Sequence, residues 1–270
     1  IFNLWILNEF EICRKKTEQS IKDYKFNEAA NALYKFTWSI FCDWYLEITK
    51  IIYSSNDKII INETKQITSL VLSKILVMLH PIMPFFTEHV WDQATNILEK
   101  GSQRISRSQW PQKLDFESSN SEKVNLFINL ISSIRSTRAE LNVPVKSKVK
   151  ISYSNVSSDL EEIIEKNKEI IVSLTRSKSF EKEEYSKDEG MVQVIFNDGL
   201  IYLSLKGIID FEEEKRRLHK NLNKTEQELS KIHSKLNDKN FINNAPEEII
   251  LEQKERQKEY QLSKDKITKT

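Results

Sequence analysis

Apolar side chains recur at Phe2, Trp5, Ile6, Phe10, Cys13, Thr17 and Ile21, the spacing of one amphipathic helix over about 2–23. The stretch KFNEAANALYKF predicts a second helix, with Asn27 as its N-cap, Glu28 in its first turn and its end near Ile52. Its middle, FTWSIFCDWYLEITK (36–50), is apolar on two sides. Trp38, Phe41, Cys42, Tyr45, Thr49 and Ile52 follow one stripe, and Phe36, Ile40 and Trp44 follow another. Such a helix has to be covered on both sides, which places Trp38, Phe41 and Trp44 in a core. A third helix is expected over about 63–79, with Ile67, Leu70, Val71, Ile75, Met78 and Leu79 on its apolar face. Pro81 stops it, because proline disfavours helix in the residue before it and lacks a donor. Pro84 opens a fourth helix to about Ile97, a polar loop covers 100–118, and a fifth helix runs over 121–141 before Pro144. These helices form a bundle.

The period then changes. KVKISYS (148–154) alternates as a strand, DLEEIIEKNKEIIVSL (159–174) is helical, and MVQVIFNDGLIYLSL (191–205) reads as a hairpin around Asn197-Asp198-Gly199. From 207 onward, Phe211, Leu218, Leu222, Thr225, Leu229, Ile232 and Leu236 make a coiled-coil seam. NDKNFINNAP interrupts it, and Pro246, at a first helical position with Glu247 and Glu248 behind it, restarts a helix. In this second arm Ile250, Tyr260 and Ile267 share their stripe with Gln253, Gln257 and Lys264. The short break favours an antiparallel hairpin of about 45 Å per arm, from 1.5 Å per residue; a dimerising coiled coil is the alternative. The expected fold is mainly α, in three parts: a helical bundle (1–144), a small α/β unit (145–206) and a coiled-coil hairpin (207–270).

Composition narrows the picture. The 270 residues are 39% hydrophobic, 10% aromatic and 30% charged, with four glycines and five prolines, which suits long helices and few tight turns. The net charge is +1, and none of the three parts exceeds one unit, so any affinity for nucleic acid depends on local placement of Lys and Arg. The longest apolar stretch, ITSLVLSKILVMLHPIM, is interrupted by Lys74 and Pro81, so no membrane span is expected. Cys13 and Cys42 sit inside helical patterns as free thiols of a reducing compartment. Residue 1 is already mid-pattern and is read as a boundary inside a longer protein.

Catalytic constellations are missing from the sequence. His80, His89, His219 and His233 lack metal-ligand spacing, and no glycine-rich phosphate loop, Gly-x-Ser-x-Gly or Cys-x-x-Cys is present. Asp43 and Glu47, one turn apart, lack the pocket a catalytic carboxylate pair needs. What remains is binding. Arg217, Lys220, Lys224, Lys231 and Lys235 recur at helical spacing on the first long helix, and Lys254, Arg256 and Lys258 answer on the second. They are either a solvated face or a row of contacts to a phosphate backbone.

Five stretches carry a resemblance. FNEAANALYKFTWSIFCDWYLEITK with LHPIMPFFTEHVW resembles the anticodon-binding helical domain of class I aminoacyl-tRNA synthetases. IRSTRAELNVP, GIIDFEEEKRRLHKNL and KLNDKNFINNAPEEII resemble the valyl branch of that family, including its terminal coiled-coil arm. The resemblance implies the C-terminal part of an enzyme that charges tRNA(Val) using ATP. The family's His-Ile-Gly-His and Lys-Met-Ser-Lys-Ser signatures are absent from this chain, so no cofactor is expected here and ATP belongs to the catalytic part. It further implies that Leu46 and Glu47, with Asp43 and Lys50 beside them, meet anticodon bases. Arg217, Lys220, Lys224, Lys231, Lys235, Lys254 and Arg256 would then meet backbone at the outer corner of the tRNA, in a cytoplasmic monomer. A helical scaffold that recruits a protein partner, an isoleucyl or leucyl relative, and a stand-alone tRNA-binding protein are the competing readings.

Overall fold

The computed structural model describes residues 1–98, 104–116, 121–183, 190–197, 199–238 and 246–269. Helix α1 (Phe2–Lys22) is the axis of the bundle, and Trp5, Ile6 and Phe10 on it are almost wholly buried. Packed on it are α2 (Phe26–Lys35), a π-helical segment (Phe36–Tyr45), α4 (Lys58–Leu79) and α6 (Ser121–Glu140), while α3 (Leu46–Tyr53) packs on the π segment and α4, and α5 (Pro84–Leu98) packs on α4. The ring of Phe10 meets Phe36 at 6.0 Å and that of Phe2 meets Phe127 at 5.2 Å. Asn3 ties three elements together: its amide donates to Glu63 and Thr64 of α4, and its oxygen accepts from Tyr45 Oη at 2.9 Å. A buried Glu11–Arg14 pair fastens the later loop, because Glu11 Oε1 also accepts from the Leu114 backbone N–H at 3.0 Å.

The run from Phe26 to Tyr53 is continuous helix, as the pattern predicts, but its centre is wound wider. In π geometry the turn holds more residues than the α-helix. Phe36, Phe41 and Tyr45, spaced by five and then four, therefore fall on the buried side. This corrects the expectation for two tryptophans. Trp38 is 57% exposed, and Trp44 is only half-buried, with the Arg135 guanidinium 5.3 Å from its ring centre. Phe41 is buried as expected. Two helix starts also differ. Lys25, not Asn27, precedes α2, and α4 begins at Lys58 because the Asp57 carboxylate caps the N–H groups of Ile59 and Ile60. Pro81 and Pro84 act as expected, ending α4 and opening α5.

The α/β unit packs on α3 and α6. Its elements are β1 (Val149–Ser154), α7 (Ser158–Lys166), α8 (Lys168–Thr175), β2 (Ser177–Lys182), β3 (Met191–Phe196) and β4 (Gly199–Ser204). The strand order is β2-β1-β4-β3, with β1 parallel to β2 and the other neighbours antiparallel. Strand β2 was not expected from the pattern. In the expected hairpin turn Asp198 lies outside the described residues, while Asn197 is left-handed (φ 50°) and Gly199 pairs with Phe196. A Cβ on Gly199 would stand 2.6 Å from Val156 Cγ1, so the close approach requires glycine. One hydrophobic core runs from the bundle into the sheet, through Ile134, Leu141, Val143, Val149 and Ile171.

The last two helices are α9 (Phe211–Asn237) and α10 (Glu247–Lys269), in contact along their length. Gln257 bonds His233 at 3.0 Å, and Lys264 pairs with Glu226 at 2.8 Å. Moving seven residues down α9 thus moves seven up α10, so the helices are antiparallel. Thr225, Leu229 and Ile232 are buried in the seam, as is Gln253 opposite. Gln257 and Lys264, two polar positions of the weaker arm, are thereby used as cross-helix partners. Pro246 lies one position before α10 rather than within it, its carbonyl accepting from Ile249 and Ile250. Most of the expected interrupting stretch, 239–245, lies outside the described residues, as do parts of the loop expected over 100–118.

Candidate nucleic-acid interface

The end of the π segment and the start of α3 present the four residues expected to meet bases. Asp43 is exposed and Glu47 half-exposed, and both line one cleft of about 500 Å³. Lys50 is exposed and forms an ion pair with Glu47 one turn away. Leu46 is half-buried and packs against the bundle core. The structure thus brings the two carboxylates together, with Lys50 beside them and Leu46 facing partly inward.

The opposite wall of that cleft is arginine. Arg135 and Arg138 come from α6, and Arg176 comes from the residue after α8. Arg135 Nε donates to the Leu174 carbonyl at 2.8 Å and its guanidinium lies over Trp44. Arg138, 7% exposed, donates to the Ser147 carbonyl at 2.7 Å and to the Arg176 carbonyl at 3.4 Å. Burial first, and the positive charge of Arg176 second, hold both α6 guanidiniums below the usual arginine range. Neither arginine of IRSTRAELNVP is among the residues expected from the sequence to bind. Their spacing of three, on one helix face, was the available signal.

On the arm, Lys220, Lys224, Lys231 and Lys235 are exposed. At 100° per residue, Lys220, Lys224 and Lys231 stand about half a turn from the seam, on the back of α9. Lys231 pairs with Glu228 and Lys235 acts on the same carboxyl more weakly, whereas Lys220 and Lys224 have no ion-pair partner among the described residues. Arg217 is placed differently. It is half-buried, and its guanidinium donates to the Glu140 carbonyl at the end of α6; with the Asn142 amide turned, the Asn142 oxygen accepts from it as well. On α10, Lys254 and Arg256 lie about 200° apart around the helix and so flank the seam on opposite sides. Arg256 is on the side of Glu228, whose carboxyl is held below its usual range by Lys231 above all and by Arg256 and Lys235 more weakly.

A helical bundle is thus followed by a helical hairpin, and comparison with known proteins matches each of these two parts. The profile described as the anticodon-binding domain of tRNA ligase matches residues 3–153, more than half of the chain, and the chain belongs to that family. Residues 210–270 match the valyl tRNA synthetase tRNA binding arm, so the two parts together correspond to the C-terminal region of valine–tRNA ligase. The valine–tRNA ligase of Rhizobium meliloti is 33% identical over 265 residues, covering 98% of this chain and 28% of the relative. Those of Zymomonas mobilis (33% over 259 residues) and Bartonella quintana (31% over 266 residues) are matched over 94% and 98% of this chain. The chain therefore spans less than a third of the length of these curated relatives. Among the described residues no helix is long and apolar enough to cross a membrane.

Proposed function

We propose that the chain is the tRNA-recognition part of a valine–tRNA ligase, acting on tRNA(Val) in the cytoplasm as part of a monomeric enzyme whose remaining length activates valine with ATP. In this reading the chain divides into an anticodon-binding bundle (1–144), a connecting α/β unit (145–206) and an arm (207–270). Glu47 and Asp43 accept hydrogen bonds from exocyclic amines of unstacked bases, with Leu46 and Lys50 at the edge of the same surface. Lys220, Lys224, Lys231, Lys235, Lys254 and Arg256 contribute backbone contacts along the arm. The observation that carries the reading is the occurrence in one chain of a cleft that holds Asp43 and Glu47 opposite arginines and of an exposed row of lysines on a two-helix arm.

Glu47→Gln tests the anticodon end. It removes the charge, keeps the shape, and should weaken binding of an RNA hairpin carrying the valine anticodon by about 1–3 kcal/mol while leaving a hairpin with a changed loop unaffected. Equal binding of both hairpins by both proteins would leave Glu47 as a surface carboxylate paired with Lys50.

A further inference from the structure

We propose that Arg135, Arg138 and Arg176 form a seat for an RNA phosphodiester, which makes the α/β unit part of the nucleic-acid interface and not only a connector. The inference rests on the anticodon reading and adds to it the group that holds the backbone beside the base contacts. Three guanidiniums converge on one cleft, and no described carboxylate forms an ion pair with any of them. Asp43 and Glu47 stand on the same cleft; Glu47 is ion-paired with Lys50, and its charge also acts on Arg135, outweighed there by burial and by Arg176. The arginines are held in place by neutral acceptors, the carbonyls of Leu174, Arg176 and Ser147, which fix geometry without cancelling charge. Like charges gathered in this way are stabilised by an anion, and planar guanidiniums match phosphate oxygens.

Arg176 supplies an independent observation. It occupies the left-handed position that ends α8, with φ 52° and ψ 41°, where glycine or asparagine is favoured. An arginine there is a local cost, and its side chain is exposed on the cleft rather than packed. The cleft's volume of about 500 Å³ lies in the range of small-ligand sites, so a phosphate and part of its nucleotide fit within it.

The test separates this seat from the reading beneath it. The 270-residue chain is titrated with a valine-anticodon RNA hairpin across a salt series, as the parent and as Arg176→Asn, with thermal melting measured on both. Asparagine tolerates the left-handed backbone, so the variant should melt at the same temperature or higher. It should bind the hairpin roughly 3- to 10-fold more weakly at low salt, and the slope of log K against log salt should shrink by about 0.7 unit. Arg176→Lys should recover most of that slope. An unchanged slope in Arg176→Asn overturns the phosphate seat alone, whereas a parent chain that ignores the hairpin overturns the anticodon reading with it. Inorganic phosphate is the control. If it raises the melting temperature of the parent but not of Arg176→Asn, and displaces the hairpin no better than chloride does, the cleft is a free-anion site and the RNA assignment is wrong.

Discussion

Arg217 and Lys220 are three residues apart on α9, yet the structure gives them different work. Lys220 is exposed without an acidic partner among the described residues, whereas Arg217 turns back to the carbonyl that ends α6. A helix's last carbonyls lack partners within the helix, and a cationic donor there is favoured by the dipole. Arg217 is therefore a pin between arm and bundle. Arg217→Ala should lower the stability of the chain by about 1–3 kcal/mol in urea unfolding, since it removes a charged hydrogen bond at a half-buried site. The salt slope for tRNA binding should not change. A slope reduced by one contact, with stability untouched, would return Arg217 to the phosphate-binding row. From the sequence the two residue types are equivalent, because both are basic and off the seam. Only the position of α6, fixed by distant packing, distinguishes them.

At the scale of elements, the departures from expectation have two physical sources. The first is the assumed helical period. With 3.6 residues per turn, Trp38, Phe41 and Tyr45 share a stripe; in the wider π winding, Phe36, Phe41 and Tyr45 do, and Trp38 turns outward. The interval of five between Phe36 and Phe41 was visible, but it carries weight only once both rings are seen to be buried. The consequence is measurable. Phe41→Ala should destabilise the chain by about 3–5 kcal/mol, as expected for a buried aromatic, and Trp38→Ala should stay within about 0.5 kcal/mol of the parent. Comparable losses for both would mean that residues 36–45 are wound as an ordinary α-helix. The second source is non-local pairing. Ser177–Lys182 has one apolar residue, Phe180, and becomes a strand because β1 offers it a parallel edge. Elements with strong local signals, such as α1, α5, α6 and the heptads of α9, were legible. Arg176 was not, because nothing in its neighbourhood in sequence points to Asp43, Glu47 and Arg135.

At the scale of the whole molecule, the cleft beside Asp43 and Glu47 and the arm are linked through α6. That helix carries Arg135 and Arg138 on the cleft, and its final carbonyl receives Arg217 from α9. Its side chains Ile131 and Ile134 belong to the core shared with the sheet. Under the proposed function, a connection of this kind would let two distant RNA contacts be made together, which raises affinity without adding contacts. The arm itself is stabilised by its seam and by the Gln257–His233 and Lys264–Glu226 pairs, so its lysines are dispensable for folding. They should matter for binding alone. The account's central claim is that this chain grips tRNA by a bundle and by the back of the arm. It is tested most directly by the salt dependence of tRNA(Val) binding to the parent and to Lys220→Ala/Lys224→Ala/Lys231→Ala. Alanine preserves helix propensity, so the melting temperature should be unchanged. If these lysines touch phosphates, the triple variant binds more weakly at low salt, and its slope is shallower by about two to three units. A slope identical to the parent's would contradict the claim and leave the back of α9 a solvated face.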